Sequence, residues 1–160
     1  ATESPITHEF YVLPVEKRAT ASAESNVYTG PGENYYAVSE GLAISSGQDI
    51  GFYGKVSDWA MVSVPVDGGN TVGYVRLSSA PADLSLKNLN FDKEAFKLYS
   101  TAVLMDAPGN KGALKLQVPA GTEVTVLAEI KELGLVYVEI PSGVDGKPVR
   151  GFIPRDALGV

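Results

Sequence analysis

The chain has 160 residues, 44% of them hydrophobic, with a formal net charge of −6 and no cysteine. That apolar content excludes disorder as the main state, and the missing thiols exclude disulfides, thiolate nucleophiles and thiolate metal sites. An acidic chain without a run of Lys and Arg is a poor partner for nucleic acid or anionic lipid, and no apolar run approaches the ~20 residues of a membrane span.

In chain order, Glu9-Phe10-Tyr11-Val12-Leu13 predicts a short strand stopped by Pro14, inside an N-terminal extension of residues 1–18. The opening Ala1-Thr2-Glu3-Ser4-Pro5, without an initiator Met, fits a processed or trimmed end. A first unit over residues 19–80 carries predicted strands at Ser25–Tyr28, Tyr36–Val38, Asp49–Lys55, Trp59–Val64 and Thr71–Arg76, with Gly30-Pro31-Gly32, Gly41, Gly47 and a hairpin turn at Asp67-Gly68-Gly69-Asn70 between them. Residues 81–96 read as a linker, with one short helix expected near Asp92–Lys97. A second unit over residues 97–160 has predicted strands at Leu98–Met105, Lys115–Val118, Glu123–Glu129, Leu135–Ile140 and Val149–Ile153. Short strands at roughly ten-residue spacing point to an all-β chain of small barrels or sandwiches.

The two units are diverged copies of one plan. Val27-Tyr28-Thr29-Gly30-Pro31-Gly32 matches Leu104-Met105-Asp106-Ala107-Pro108-Gly109, and Gly47-Gln48-Asp49-Ile50 matches Gly121-Thr122-Glu123-Val124. Without a gap, the second match continues Trp59-Ala60-Met61-Val62 onto Leu133-Gly134-Leu135-Val136. Each copy closes on a Gly-aromatic-aliphatic triplet, Gly73-Tyr74-Val75 and Gly151-Phe152-Ile153.

Ser25-Asn26-Val27-Tyr28-Thr29-Gly30-Pro31-Gly32, followed by Gly47, Trp59 and Gly73-Tyr74-Val75, resembles the bacterial SH3-like domain, whose usual string is Leu-Asn-Val-Arg-Ser-Gly-Pro-Gly. Tyr28 stands where that family has Arg. In the second unit the Asn is Val103, the first turn Gly is Ala107 and the Trp is Leu133. The resemblance implies two tandem SH3-like small β-barrels joined by a short, partly helical linker. It also implies an extracytoplasmic protein, periplasmic, secreted or wall-associated, that binds cell-wall peptide or a protein partner.

Catalysis is not expected. A single His8 in the N-terminal extension supports neither a Ser-His-Asp nor a Cys-His arrangement, and the carboxylates sit in turns without a surrounding motif. Asp106 and Asp145 lie in loops without calcium-loop spacing, so no metal or cofactor is expected. The candidate ligand-binding residues are aromatic: Tyr28, Tyr35, Tyr36, Trp59 and Tyr74. If Val62 and Val64 fill the interior, strand alternation turns Trp59 and Met61 outward, where with the tyrosines they would form a shelf for a peptide or sugar. Rings that merely plug the barrel ends are the competing reading. Two other roles remain open, a subunit of an assembly and the targeting part of a longer wall hydrolase.

Overall fold

Runs rich in Val, Ile, Thr and aromatic residues, punctuated by glycine, fit a pleated backbone. The computed structural model describes residues 11–14, 17–36, 43–66, 69–81, 83–105, 115–144 and 146–159, and the chain it shows is all-β. The strands are β1 Lys17–Thr20, β2 Ser25–Asn26, β3 Ala43–Ile44, β4 Asp49–Val56, β5 Trp59–Val66, β6 Gly69–Arg76, β7 Glu94–Lys97, β8 Ala102–Met105, β9 Lys115–Val118, β10 Glu123–Ile130, β11 Leu135–Val144 and β12 Lys147–Pro154. Among the described residues the helical pieces are single 3-10 turns at Leu77–Ser79, Lys131–Leu133 and Arg155–Leu158. None of these is long and apolar enough to cross a membrane. His8, Val38, Asp67, Asp106, the Ala107-Pro108-Gly109 corner and Asp145 lie outside the described residues.

The strands form a sheet ordered β1-β4-β5-β6, a sheet ordered β7-β10-β11-β12-β8-β9, and the pair β2-β3. The ladders of the first half recur in the second. Lys17 pairs with Phe52 as Glu94 does with Val126, and Ser25 with Ile44 as Ala102 does with Val118. A bulge leaves Tyr53 unpaired between Phe52 and Gly54, and another leaves Leu127 unpaired between Val126 and Ala128. Gly47 and Gly121 both adopt φ +88°, and their N–H groups donate to Ala21 and Leu98 in turn. Gly73 and Gly151 answer a second shared constraint: a Cβ would stand 2.8 Å from the Tyr28 carbonyl oxygen in one and 2.7 Å from that of Met105 in the other.

This register corrects one alignment. Trp59 pairs with Val56 as Leu135 does with Ile130, so Leu135, not Leu133, is the counterpart of Trp59. The hairpin before Trp59 turns on Ser57-Asp58, whereas Lys131–Gly134 occupy that place in the second half, two residues more.

Three cores follow from strand alternation. Val62, Val64, Ile50 and Phe52 fill the first half, and Val136, Val138, Val124 and Ile153 fill the second. The opposite faces of the same strands meet in a third cluster: Trp59, Met61, Val72 and Tyr74 against Leu135, Tyr137 and Phe152. Fully burying side chains of this size stabilises by about 1.5–3 kcal/mol each.

Among the described residues neither sheet closes into a barrel, since the ladders end at different strands, β1 and β6, and β7 and β9. After the turn at Leu77–Ser79 the described residues form no closing strand, and Leu84 and Leu86 pack on the first core. The expected helix near Asp92–Lys97 is also corrected. Glu94–Lys97 is an extended edge strand against β10, with Phe96 packed on the second core and its charged neighbours in solvent.

The connecting segments cross between halves. Lys87 accepts from the Lys55 N–H of the first half and Leu89 donates to the Lys55 carbonyl, a short parallel bridge beside β4. Tyr11 and Leu13, which precede the first half, make the matching pair of bonds to Glu129 of β10 in the second. Each half is thus augmented by the segment that leads into the other. Leu13 and Leu89 both end in the shared cluster.

Candidate functional site

The five aromatic residues expected to bind ligand are gathered along the seam between the halves. Trp59 and Met61 do turn away from the first core, as alternation predicts, but the second half covers them. Tyr74 is closed to solvent, and Trp59 retains 8% exposure. Neither forms an open shelf, because both are buried in the cluster shared with Tyr137 and Phe152 of the second half. Tyr28 meets Trp59 edge-on with centroids 5.8 Å apart, and the Arg76 guanidinium lies 4.5 Å above the Trp59 ring. Arg76 also pairs with Glu33 at 2.8 Å, an exposed bridge of small energetic weight.

The corner Gly30-Pro31-Gly32 exists to seat Tyr35: the Tyr35 ring occupies the space a side chain on Gly30 would need. From there the Tyr35 hydroxyl donates to Glu139 Oε1 at 2.7 Å. Tyr36 donates its N–H to the Pro148 carbonyl at 2.9 Å and packs on the second core. Both tyrosines therefore dock the first half onto the second.

At the centre of the seam lies a polar network of which sequence reasoning named only Tyr74. Arg150 Nε donates to Glu139 Oε1 at 2.8 Å, and Arg150 Nη1 donates to the Tyr74 hydroxyl at 3.0 Å. The same Tyr74 oxygen accepts from the Tyr137 hydroxyl at 3.0 Å. Phe91, from the crossing segment, stacks at a tilt on Tyr137 and faces the Arg150 guanidinium at 5.6 Å. The signal for these residues was present: in β11 and β12 the outward phase is Leu135, Tyr137, Glu139 and Arg150, Phe152. Glu139 and Arg150 are charged, and charge on a strand ordinarily marks a solvent-facing position.

Burial pushes the Tyr35 hydroxyl up to about 12, with Arg150 opposing the rise and the bond to Glu139 adding to it. Tyr74 and Tyr137 are raised too, again chiefly by burial. Burial disfavours the Arg150 charge, but the tyrosine oxygens and Glu139 outweigh it and hold the guanidinium protonated. A neutral tyrosine whose folded value exceeds the ordinary 10.0 contributes stability that is complete below pH 10 and is lost as pH rises through about 12. Stability measured by urea denaturation is therefore expected to stay level on the approach to pH 10 and to fall above it. Tyr35→Phe is expected to soften that fall; an unchanged alkaline slope would contradict the assignment.

One open cleft lies beside the crossing segments. It has a volume of about 490 Å³, and its walls include Tyr11, Pro14, Lys17, Tyr53 and residues 85–90. Tyr53, the unpaired residue of the β4 bulge, lies on the face opposite Phe52 and lines the cleft. The contributing residues are scattered over some eighty positions with no common motif, so sequence reasoning had no handle on them. A second, shallower groove of about 530 Å³ runs along Ser100–Val103 and Pro154.

The chain matches no family model, no curated protein and no solved structure.

Proposed function

We propose that this chain is a non-catalytic, extracytoplasmic binding module for cell-wall peptide or a protein partner, built from two SH3-like units over residues 19–80 and 97–160 with residues 81–96 connecting them. The observation that carries the reading is a duplicated β-frame fastened back to back, with a polar-rimmed cleft left open beside the joint. Such a body is preorganised, so a ligand meets walls already in place and little ordering entropy opposes binding. The resemblance of Ser25–Gly32, Trp59 and Gly73-Tyr74-Val75 to bacterial SH3-like domains supports the wall as the site of action.

A pulldown on purified, insoluble peptidoglycan tests the proposal. The protein is expected in the pellet with peptidoglycan and in the supernatant with cellulose. Equal recovery in both supernatants would overturn the wall reading. The assembly alternative draws on exposed Tyr99 (77%) and Val103 (46%) near the second groove. Self-association in light scattering, together with failure to sediment, would favour it.

A further inference from the structure

We infer that the cleft between the N-terminal segment and residues 85–90 binds the carboxylate of a small ligand that carries an apolar or ring-shaped body. This rests on the binding-module reading and names what the module holds.

The first ground is charge. The chain carries a net −6, yet the described cleft walls hold two ammonium groups, Lys17 and Lys87, and no carboxylate. Neither lysine makes an ion pair with a described residue. Lys17 donates one long bond, 3.4 Å, to the Ser85 carbonyl, which holds its stem along the cleft and leaves donors to spare. The second ground is shape and chemistry. Tyr11 and Tyr53 supply ring faces, and Asn88 and Asn90 supply amide donors and acceptors, the mixture that orients a small polar molecule on an apolar floor.

The third ground comes from the duplication. The ladders place Glu94 opposite Lys17 in the repeat, Leu127 opposite Tyr53 and Val12 opposite Asn88. In the second half the bulge residue Leu127 is buried in the shared cluster, whereas Tyr53 is only half-buried. The frame is common to both halves, but the cation, the ring and the amide stand together once. Structure alone does not require them, because the other copy is built without them.

Two chemistries supply such a carboxylate, the C-terminus of a peptide and an acidic sugar. The test titrates the full chain, isotope-labelled, with acetyl-dialanine, its C-terminal amide, glucuronate and glucose, following backbone amide shifts. Acetyl-dialanine, glucuronate or both are expected to move the signals of residues 85–90, and whichever acts identifies the source; the amide and glucose are expected to leave them still. Affinity is expected to fall with added salt and to drop about tenfold in Lys17→Gln/Lys87→Gln. Both side chains are exposed, so the variant keeps its fold, which an unchanged thermal midpoint would verify. Neutral analogues binding as well as the acids, or an unaffected double variant, would overturn the inference. If peptidoglycan still retains the wild type in that case, only the ligand class fails and the module reading stands.

Discussion

Trp59→Ala is expected to lower the stability of the whole chain by about 3–5 kcal/mol, the usual cost of truncating a buried large aromatic. Trp59 is 8% exposed in the seam, and its loss also removes the edge contact with Tyr28 and the partner of the Arg76 guanidinium. For a chain of this length, that corresponds to a fall in melting temperature of roughly 6–20 °C. The same measurement decides between two alignments of the repeat. Leu135, the counterpart by ladder register, is also 8% exposed, and Leu135→Ala is expected to cost about 2–5 kcal/mol. Leu133, the counterpart by gapless alignment, is 54% exposed on a 3-10 turn, and its replacement is expected to stay within about 0.5 kcal/mol. Trp59 is the single tryptophan, so unfolding must be followed by circular dichroism rather than indole fluorescence. A Leu133→Ala effect as large as that of Leu135→Ala would mean the register is wrong.

The gapless alignment slipped by two residues, yet it still sorted inward from outward side chains correctly. An even slip preserves the face of every strand residue, so Val62 and Val136 both face a core under either register. Strands with strong apolar alternation, such as Trp59–Val66 and Glu123–Ile130, were legible for that reason. Lys17–Thr20 and Glu94–Lys97 were not, because they are edge strands defended by charged, solvent-exposed side chains and carry almost no apolar pattern. Barrel closure was expected from the family resemblance, but no local signal reports that Leu84 and Leu86 pack on the first core. For the site, the aromatic residues were found and their outward phase was right. What covers them was invisible, since a residue on β5 carries no mark of the strand some seventy-six positions later that packs on it.

Arg150→Ala is expected to cost about 3 kcal/mol or more, because it removes one partner of a buried charge pair and leaves the other in place. The side chains of Arg150 and Glu139 are 9% and 21% exposed, so the stranded Glu139 carboxylate recovers only part of its hydration. The Tyr74 hydroxyl, fully enclosed, loses a charged donor at the same time. If the network acts as one unit, Glu139→Gln placed on top of Arg150→Ala costs little more, because the carboxylate has already lost its cation and Gln keeps an oxygen for the Tyr35 hydroxyl. Arg150→Met with Glu139→Gln goes further: an apolar side chain of similar length fills the space without a charge to satisfy, and stability is expected to return to within about 1–2 kcal/mol of the wild type. Additive losses in the Arg150–Glu139 double-mutant cycle would show that the two residues contribute separately. The alkaline titration supplies an independent readout, since Arg150 lowers the Tyr35 value against the pull of burial. Removing the guanidinium is expected to move Tyr35 ionisation to still higher pH. A Tyr35 midpoint that stays put would place Arg150 outside the electrostatic field of the seam, whatever its effect on stability.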